Sequence, residues 1–223
     1  TIAGELTKIG INLNLAPVAD LASDQNPSYA MRCLGSDADG VADLLDDFVS
    51  GMREGGLSVT LKTFPGIGNV SADVTESIAE NTDSLMTIRD TNFVPYASGI
   101  QAGADCVMVS NAAYSKLTVK KVPAFMSQDI VTKLLREELG FDGIVMTSPL
   151  NDNVIENNYT NEFAVVEAVK AGCDLIVLPG NFKECYEALI TAVEEGRIDE
   201  KVINTSVRRI LQNKIQRGIL VLE

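Results

Sequence analysis

A parallel α/β fold is the class this sequence predicts, and three observations predict it. Short, mostly apolar runs recur along the chain, and a segment with helical apolar spacing follows each of them. The unit repeats five times, at a length of roughly 30 to 45 residues that suits βα units rather than a solenoid. Strands that are apolar throughout need cover on both faces, and amphipathic helices supply it. With 223 residues and 46% hydrophobic content the chain can bury the core of one large domain, residues 1–223. A doubly wound sheet and part of a barrel both fit this pattern; no Gly-x-Gly-x-x-Gly follows the first strand.

Residues 1–9 read as the end of a helix, and alternation over residues 11–20 predicts a strand running into a loop. Val41, Leu44, Leu45, Phe48, Val49 and Met52 then repeat at helical spacing, predicting a helix from about 38 to 54 that Gly55 and Gly56 end. Residues 57–64 form the second strand. A loop through Asn81 leads to a helix from Asp83 to about Ala102, with Pro95 kinking or dividing it. Residues 105–110 are a short strand, and Ser127 is placed to cap a helix carrying Ile130, Val131, Leu134 and Leu135. Residues 143–147 and 174–178 are the fourth and fifth strands. Helices near 160–171, 182–195 and 199–216, the last capped by Asp199, complete the chain.

The formal charge of −13 argues against nucleic acid or an anionic lipid surface as the main partner. No apolar run of about 18 residues is present, so no transmembrane segment is expected, and the start at Thr1 shows no signal-peptide pattern. Cys33, Cys106, Cys173 and Cys185 are far apart and form no Cys-x-x-Cys, which favours reduced, partly buried thiols. The chain contains no histidine. That removes the commonest general base near neutral pH and most zinc ligands, so neither a metal nor a cofactor is expected. Any catalysis would fall to carboxylates, Lys, Cys or Tyr.

Four stretches carry a resemblance: residues 10–20 (Gly-Ile-Asn-Leu-Asn-Leu-Ala-Pro-Val-Ala-Asp), 32–35 (Arg-Cys-Leu-Gly), 61–68 (Leu-Lys-Thr-Phe-Pro-Gly-Ile-Gly) and 135–145. In collinear order, as far as residues 170–174, the chain resembles the catalytic domain of glycoside hydrolase family 3, nearest its β-N-acetylhexosaminidase branch. The resemblance implies a (β/α)8 TIM barrel with a sugar site at the C-terminal ends of the strands. This chain accounts for about five of the eight βα units, and the family's acidic Asp-x-Glu-Gly-Gly stretch has no counterpart. An open arc of five strands should expose core-facing residues, so a partner segment completing the barrel, or a homo-oligomer, is expected.

The same resemblance assigns site positions. Ser148 stands where the family has its nucleophilic Asp. Asp73 retains the acid of the acid/base Asp-His pair, and Thr75 takes the place of its histidine. Thr63 and Ile67 replace the two histidines of the 61–68 signature, and Asn111 replaces the one after the next strand. A retaining glycosidase needs two carboxylates, one attacking while the other protonates the leaving oxygen, and a serine hydroxyl is not ionised. Lys62 matches the signature lysine and Arg32 an arginine that contacts sugar hydroxyls in the family; both offer charged donors and remain candidate carbohydrate-binding residues, with a structural ion pair to Asp20 as the competing role. Asp20 itself reads as a tie for the loop after its strand, and Phe64-Pro65-Gly66 as a rigid turn rather than a stacking platform.

The expected protein is therefore β-N-acetylhexosaminidase-like but catalytically retired, a pseudoenzyme kept for glycan binding or as a scaffold. Two alternatives stand beside it. One is an active glycosidase on N-acetylglucosamine-containing glycans that uses relocated carboxylates, with Asp152 and Glu76 as candidates although Asp152 also suits a helix start. The other is a structural subunit.

Overall fold

A computed structural model describes residues 1–71 and 73–221. Four parallel strands form the main sheet: β1 (Leu13–Asn14), β2 (Ser58–Phe64), β4 (Cys106–Val109) and β6 (Ile144–Thr147). They lie side by side in chain order, each paired with the next. A doubly wound sheet reverses direction at a switch point, whereas a barrel adds each strand to the same side. The order observed is that of a barrel arc.

Helices flank the arc: α1 (Ile2–Lys8), α2 (Pro27–Ala30), α3 (Ala38–Glu54), α4 (Leu85–Asp90), α5 (Phe93–Gln101), α6 (Asn153–Glu156), α7 (Asn161–Ala171), α8 (Phe182–Glu194) and α9 (Glu200–Gln216). Asp37, Thr160, Asn181 and Asp199 each accept a backbone N–H at a helix start, satisfying donors that have no partner within the helix. The helix expected over 83–102 divides at Thr91 and Asn92 into α4 and α5. Pro95 falls in the first turn of α5, where its missing N–H leaves no intrahelical bond unmade.

Four expectations need correction. The first strand is regular only over Leu13–Asn14, because Pro17 has no N–H to give. Pairing resumes irregularly through Thr60 N–H to Ala16 O (3.1 Å), Lys62 N–H to Pro17 O (3.2 Å) and Ala19 N–H to Lys62 O (2.6 Å). Residues 174–178 do not form a fifth regular strand. Leu175 makes one bridge to Met146, but the Asp174 carboxylate takes the Val145 N–H (2.9 Å) and Thr147 Oγ1 takes that of Val177 (3.1 Å). Leu175 keeps its backbone bonds to Val145 O and from Thr147 N–H, but on either side of it a side chain takes an N–H that a carbonyl ladder would use, and Leu178 turns to a positive φ of 44°. The segment carrying Ile130 to Leu135 winds more widely than an α-helix, with Leu139 N–H reaching Leu134 O five residues back. Ser127 starts it with its carbonyl, which accepts from Ile130 and Val131, rather than with its hydroxyl.

A second, two-stranded parallel sheet, β3 (Glu80–Asn81) with β5 (Ala113–Tyr114), lies in what the sequence reads as loops.

Period-2 alternation divides the core. Val107, Val109 and Val145 face the helices, while Cys106, Met108, Ile144 and Met146 face the inside of the arc. The open arc was expected to expose that inner face, yet these four side chains are at most 5% exposed. Leu175, Val177 and Ile210 of α9 pack against them. Around Ile210, α9 is held by two buried carboxylates at the N-terminal ends of the strands. Asp105 binds Asn213 (3.0 Å) and Arg217 (2.6 Å), and Asp174 binds Ser206 (2.7 Å) and Arg209 (3.1 Å). All four cysteines are thiols, three of them buried, and burial pushes the Cys106 thiol up to about 12.

Candidate functional site

At the opposite, C-terminal ends of the strands lies a cleft of about 680 Å³. Leu15 follows β1, Lys62 and Thr63 lie in the last residues of β2, Asn111 follows β4, Ser148 follows β6, and Val177 and Leu178 contribute to the lining. Arg32, Asp73, Thr75 and Asp152 also line it. The structure thus brings Arg32, Lys62, Asp73, Thr75 and Ser148 together in one cavity, although 116 positions separate the first from the last.

Asp20 underpins the cavity. It is fully buried, and five donors converge on it: Tyr29 OH (2.7 Å), Tyr96 OH (2.9 Å), Thr63 N–H (3.0 Å), Thr63 Oγ1 (2.9 Å) and Ile67 N–H (3.2 Å). Burial raises its pKa, and the bonds from Tyr29, Ile67, Tyr96 and Thr63 oppose that rise. Asp20 therefore ties its loop down as expected, through neutral donors rather than an ion pair with Arg32 or Lys62. Thr63 joins this network by its hydroxyl, also 2.8 Å from Tyr29 OH, and Ile67 contributes a buried apolar side chain. Phe64 is buried against Phe93 and Tyr96, so the turn is structural and not a stacking platform. Its glycines are sterically required: a Cβ on Gly66 would sit 1.8 Å from Asn92 Nδ2, and one on Gly68 1.9 Å from Leu21 O.

Arg32 lies over the Tyr29 ring at 5.3 Å. Lys62 is half-buried, and its pKa is lowered by burial and then by the nearby Arg32, with Asp20 acting in the other direction. Two cationic donors thus share one wall of the cleft.

Asp73 and Asp152 bring acceptors to the same cleft. Asp73 accepts from the Thr75 N–H (2.9 Å) and hydroxyl (2.7 Å), and those bonds hold its pKa below the usual value. Asp152 starts α6 with its carbonyl, while its carboxylate accepts from Asn111 Nδ2 (2.9 Å). Desolvation raises the Asp152 pKa, as do the charges of Asp73 and Glu76, and the Asn111 bond offsets part of the rise. Glu76 stands outside the cleft lining and accepts from Asn153 Nδ2 (2.9 Å). Val154 N–H to Thr75 O (2.8 Å) docks the two loops together. Ser148 is buried, its N–H bound to Val109 O (2.9 Å), and among the described residues no base accepts from its Oγ. The Asn111–Asp152 contact was not anticipated, since nothing in the sequence pairs residues 41 positions apart.

The opposite shifts of Asp73 and Asp152 are testable. Carboxyl carbon NMR should show Asp73 titrating below the ordinary Asp value and Asp152 above it. Thr75→Val should move Asp73 upward by removing the hydroxyl donor. Because its folded pKa is depressed, the Asp73–Thr75 bonds persist above the unfolded-state value and are lost as pH falls through the folded one. Equal titration of the two carboxylates would contradict the geometry.

The family described as Glycosyl hydrolase family 3 N terminal domain matches residues 1–213. The chain belongs to glycosyl hydrolase family 3. Among relatives of this family 3 domain, a β-hexosaminidase of Xylella fastidiosa is 32% identical over 177 residues, covering 79% of this chain and 52% of the relative. Another, from Stenotrophomonas maltophilia, is 32% identical over 219 residues, covering 98% and 62%. Among solved structures, a family 3 β-N-acetylglucosaminidase from Paenibacillus superposes with a TM-score of 0.94 at 34% identity, covering all of this chain and 44% of that one. A β-N-acetylhexosaminidase from Beutenbergia cavernae gives 0.87 at 32%, covering 95% and 65%. The chain therefore spans between 44% and 65% of the length of these relatives. The family 3 likeness accounts for the barrel arc and for a cleft at its C-terminal rim.

Proposed function

We propose that the cleft binds a hexosamine-containing saccharide through Arg32 and Lys62 and does not hydrolyse it by the two-carboxylate route. The relatives named β-hexosaminidase and β-N-acetylglucosaminidase support the ligand class. The observation that carries the loss of chemistry is the state of Asp73. Thr75, by amide and hydroxyl, stabilises it as an anion, whereas a proton donor must hold its proton near neutral pH. Ser148, at the position the resemblance gives to the nucleophile, has no base bound to its hydroxyl among the described residues.

Purified protein should release no nitrophenol from 4-nitrophenyl N-acetyl-β-glucosaminide above the buffer rate. In calorimetric titration it should bind N-acetylglucosamine saturably, and Arg32→Ala or Lys62→Met should weaken binding about tenfold each, as expected for lost charged donors. Turnover abolished by Asp73→Asn or Glu76→Gln would overturn the non-catalytic reading, and absence of saturable binding would overturn the binding one.

One observation favours a second reading. Asp73 and Asp152 line the same cleft with pKa values pushed apart, the pattern of an anion beside a proton donor. On that reading hydrolysis is weak, and Asp152→Asn eliminates it.

A further inference from the structure

Asn111 is 1% exposed and lines the cleft, yet only one end of its amide is satisfied. Nδ2 donates to Asp152 Oδ2 (2.9 Å) and to Pro149 O (3.4 Å), which fixes the orientation of the amide because the reverse would set oxygen against carboxylate. Oδ1 is buried and has no donor. An unpaired buried acceptor is costly, so a ligand that donates here is favoured over one that only fills space.

The surroundings define the donor. Asp73 and Asp152 line the same cleft, Glu76 acts on Asp152 from just outside it, and their side-chain hydrogen bonds come from neutral groups: Thr75, Asn111 and Asn153. Arg32 and Lys62 line the same cleft and can only donate. A hydroxyl would satisfy Asn111 Oδ1 but leave the carboxylates uncompensated. A primary ammonium satisfies both, with three donors and a positive charge.

We propose, resting on the saccharide-binding reading above, that the preferred ligand is an amino sugar with a free amine, its ammonium held by Asn111 Oδ1, Asp152 and Asp73 and its hydroxyls by Arg32 and Lys62. Acetylation leaves an N–H for Asn111 but removes the charge that the carboxylates attract. The raised pKa of Asp152 agrees with this placement, since a neighbouring cation would restore its ionised form.

The test is calorimetric titration of the full chain with glucosamine, N-acetylglucosamine and glucose at one pH and ionic strength. Glucosamine is expected to bind about tenfold or more tightly than N-acetylglucosamine, the difference a charge-assisted bond supplies. Asn111→Leu and Asp152→Asn should each bring that ratio towards one. Asp152→Asn is nearly isosteric and at a partly exposed position, so it keeps the test sound if Asn111→Leu fails to fold, which circular dichroism would reveal. N-acetylglucosamine binding as tightly as glucosamine, or a preference unchanged in Asp152→Asn, would overturn the inference and leave the saccharide reading standing. If none of the three sugars binds, both fall.

Discussion

Asp20→Ala is expected to destabilise the protein by about 3–5 kcal/mol, because it strands several buried donors in one step. Tyr29 OH, Tyr96 OH, Thr63 N–H and Ile67 N–H all point at the carboxylate, in a space that water does not reach. For a chain of this size the loss corresponds to roughly 10 °C or more in Tm, read by calorimetry. The effect reaches the cleft as well. Thr63 and Ile67 are part of its lining, and Tyr29 is the surface on which Arg32 rests. Saccharide affinity should therefore fall even at temperatures where the variant remains folded. A cost below about 1 kcal/mol would mean that the five contacts are not what holds this floor in place.

Asp174→Ala should cost a comparable amount, again about 3–5 kcal/mol, for an electrostatic reason. The carboxylate is wholly buried, and Arg136, whose side chain is 10% exposed, pairs with it and also donates to the carbonyls of Phe141 and Gly143. Removing the anion leaves a largely buried guanidinium uncompensated, with Arg209 a second cation nearby. Denaturant unfolding would measure the loss, and Asp174→Asn, which keeps shape and an acceptor, should recover part of it. Because Asp174 also holds the Val145 N–H, the variant should loosen residues 174–178 and, through Val177 and Leu178, the lining of the cleft. Unchanged stability in Asp174→Ala would contradict the clamp.

Much of the architecture was legible because local physics decides it. The apolar runs at 58–64, 106–109 and 144–147 have no competing use for their backbone groups, and the helices over 38–54, 161–171 and 200–216 have apolar stripes and side-chain caps. Sequence reading went wrong where a side chain took a backbone partner. Asp174 and Thr147 did so at the expected fifth strand, and Pro17 removed a donor at the first. The site was partly legible: Arg32, Lys62, Asp73, Thr75 and Ser148 do converge. The loop-tying role of Asp20 was legible but its partners were not, and the role of Asn111 was hidden, because these depend on Tyr96 and Asp152, residues 76 and 41 positions away.

Helix α9 is the last described element and closes the base of the arc. It follows every strand in chain order, yet Ile210 covers the inner face of the arc, and Asn213 and Arg217 complete the shell of Asp105. During synthesis the strands therefore emerge before the element that shields Cys106, Met108, Ile144 and Met146. A nascent chain stalled before residue 200 would lack the cover that Ile210 gives these four side chains, and the candidate cleft at the other end of the strands would rest on a base not yet shut.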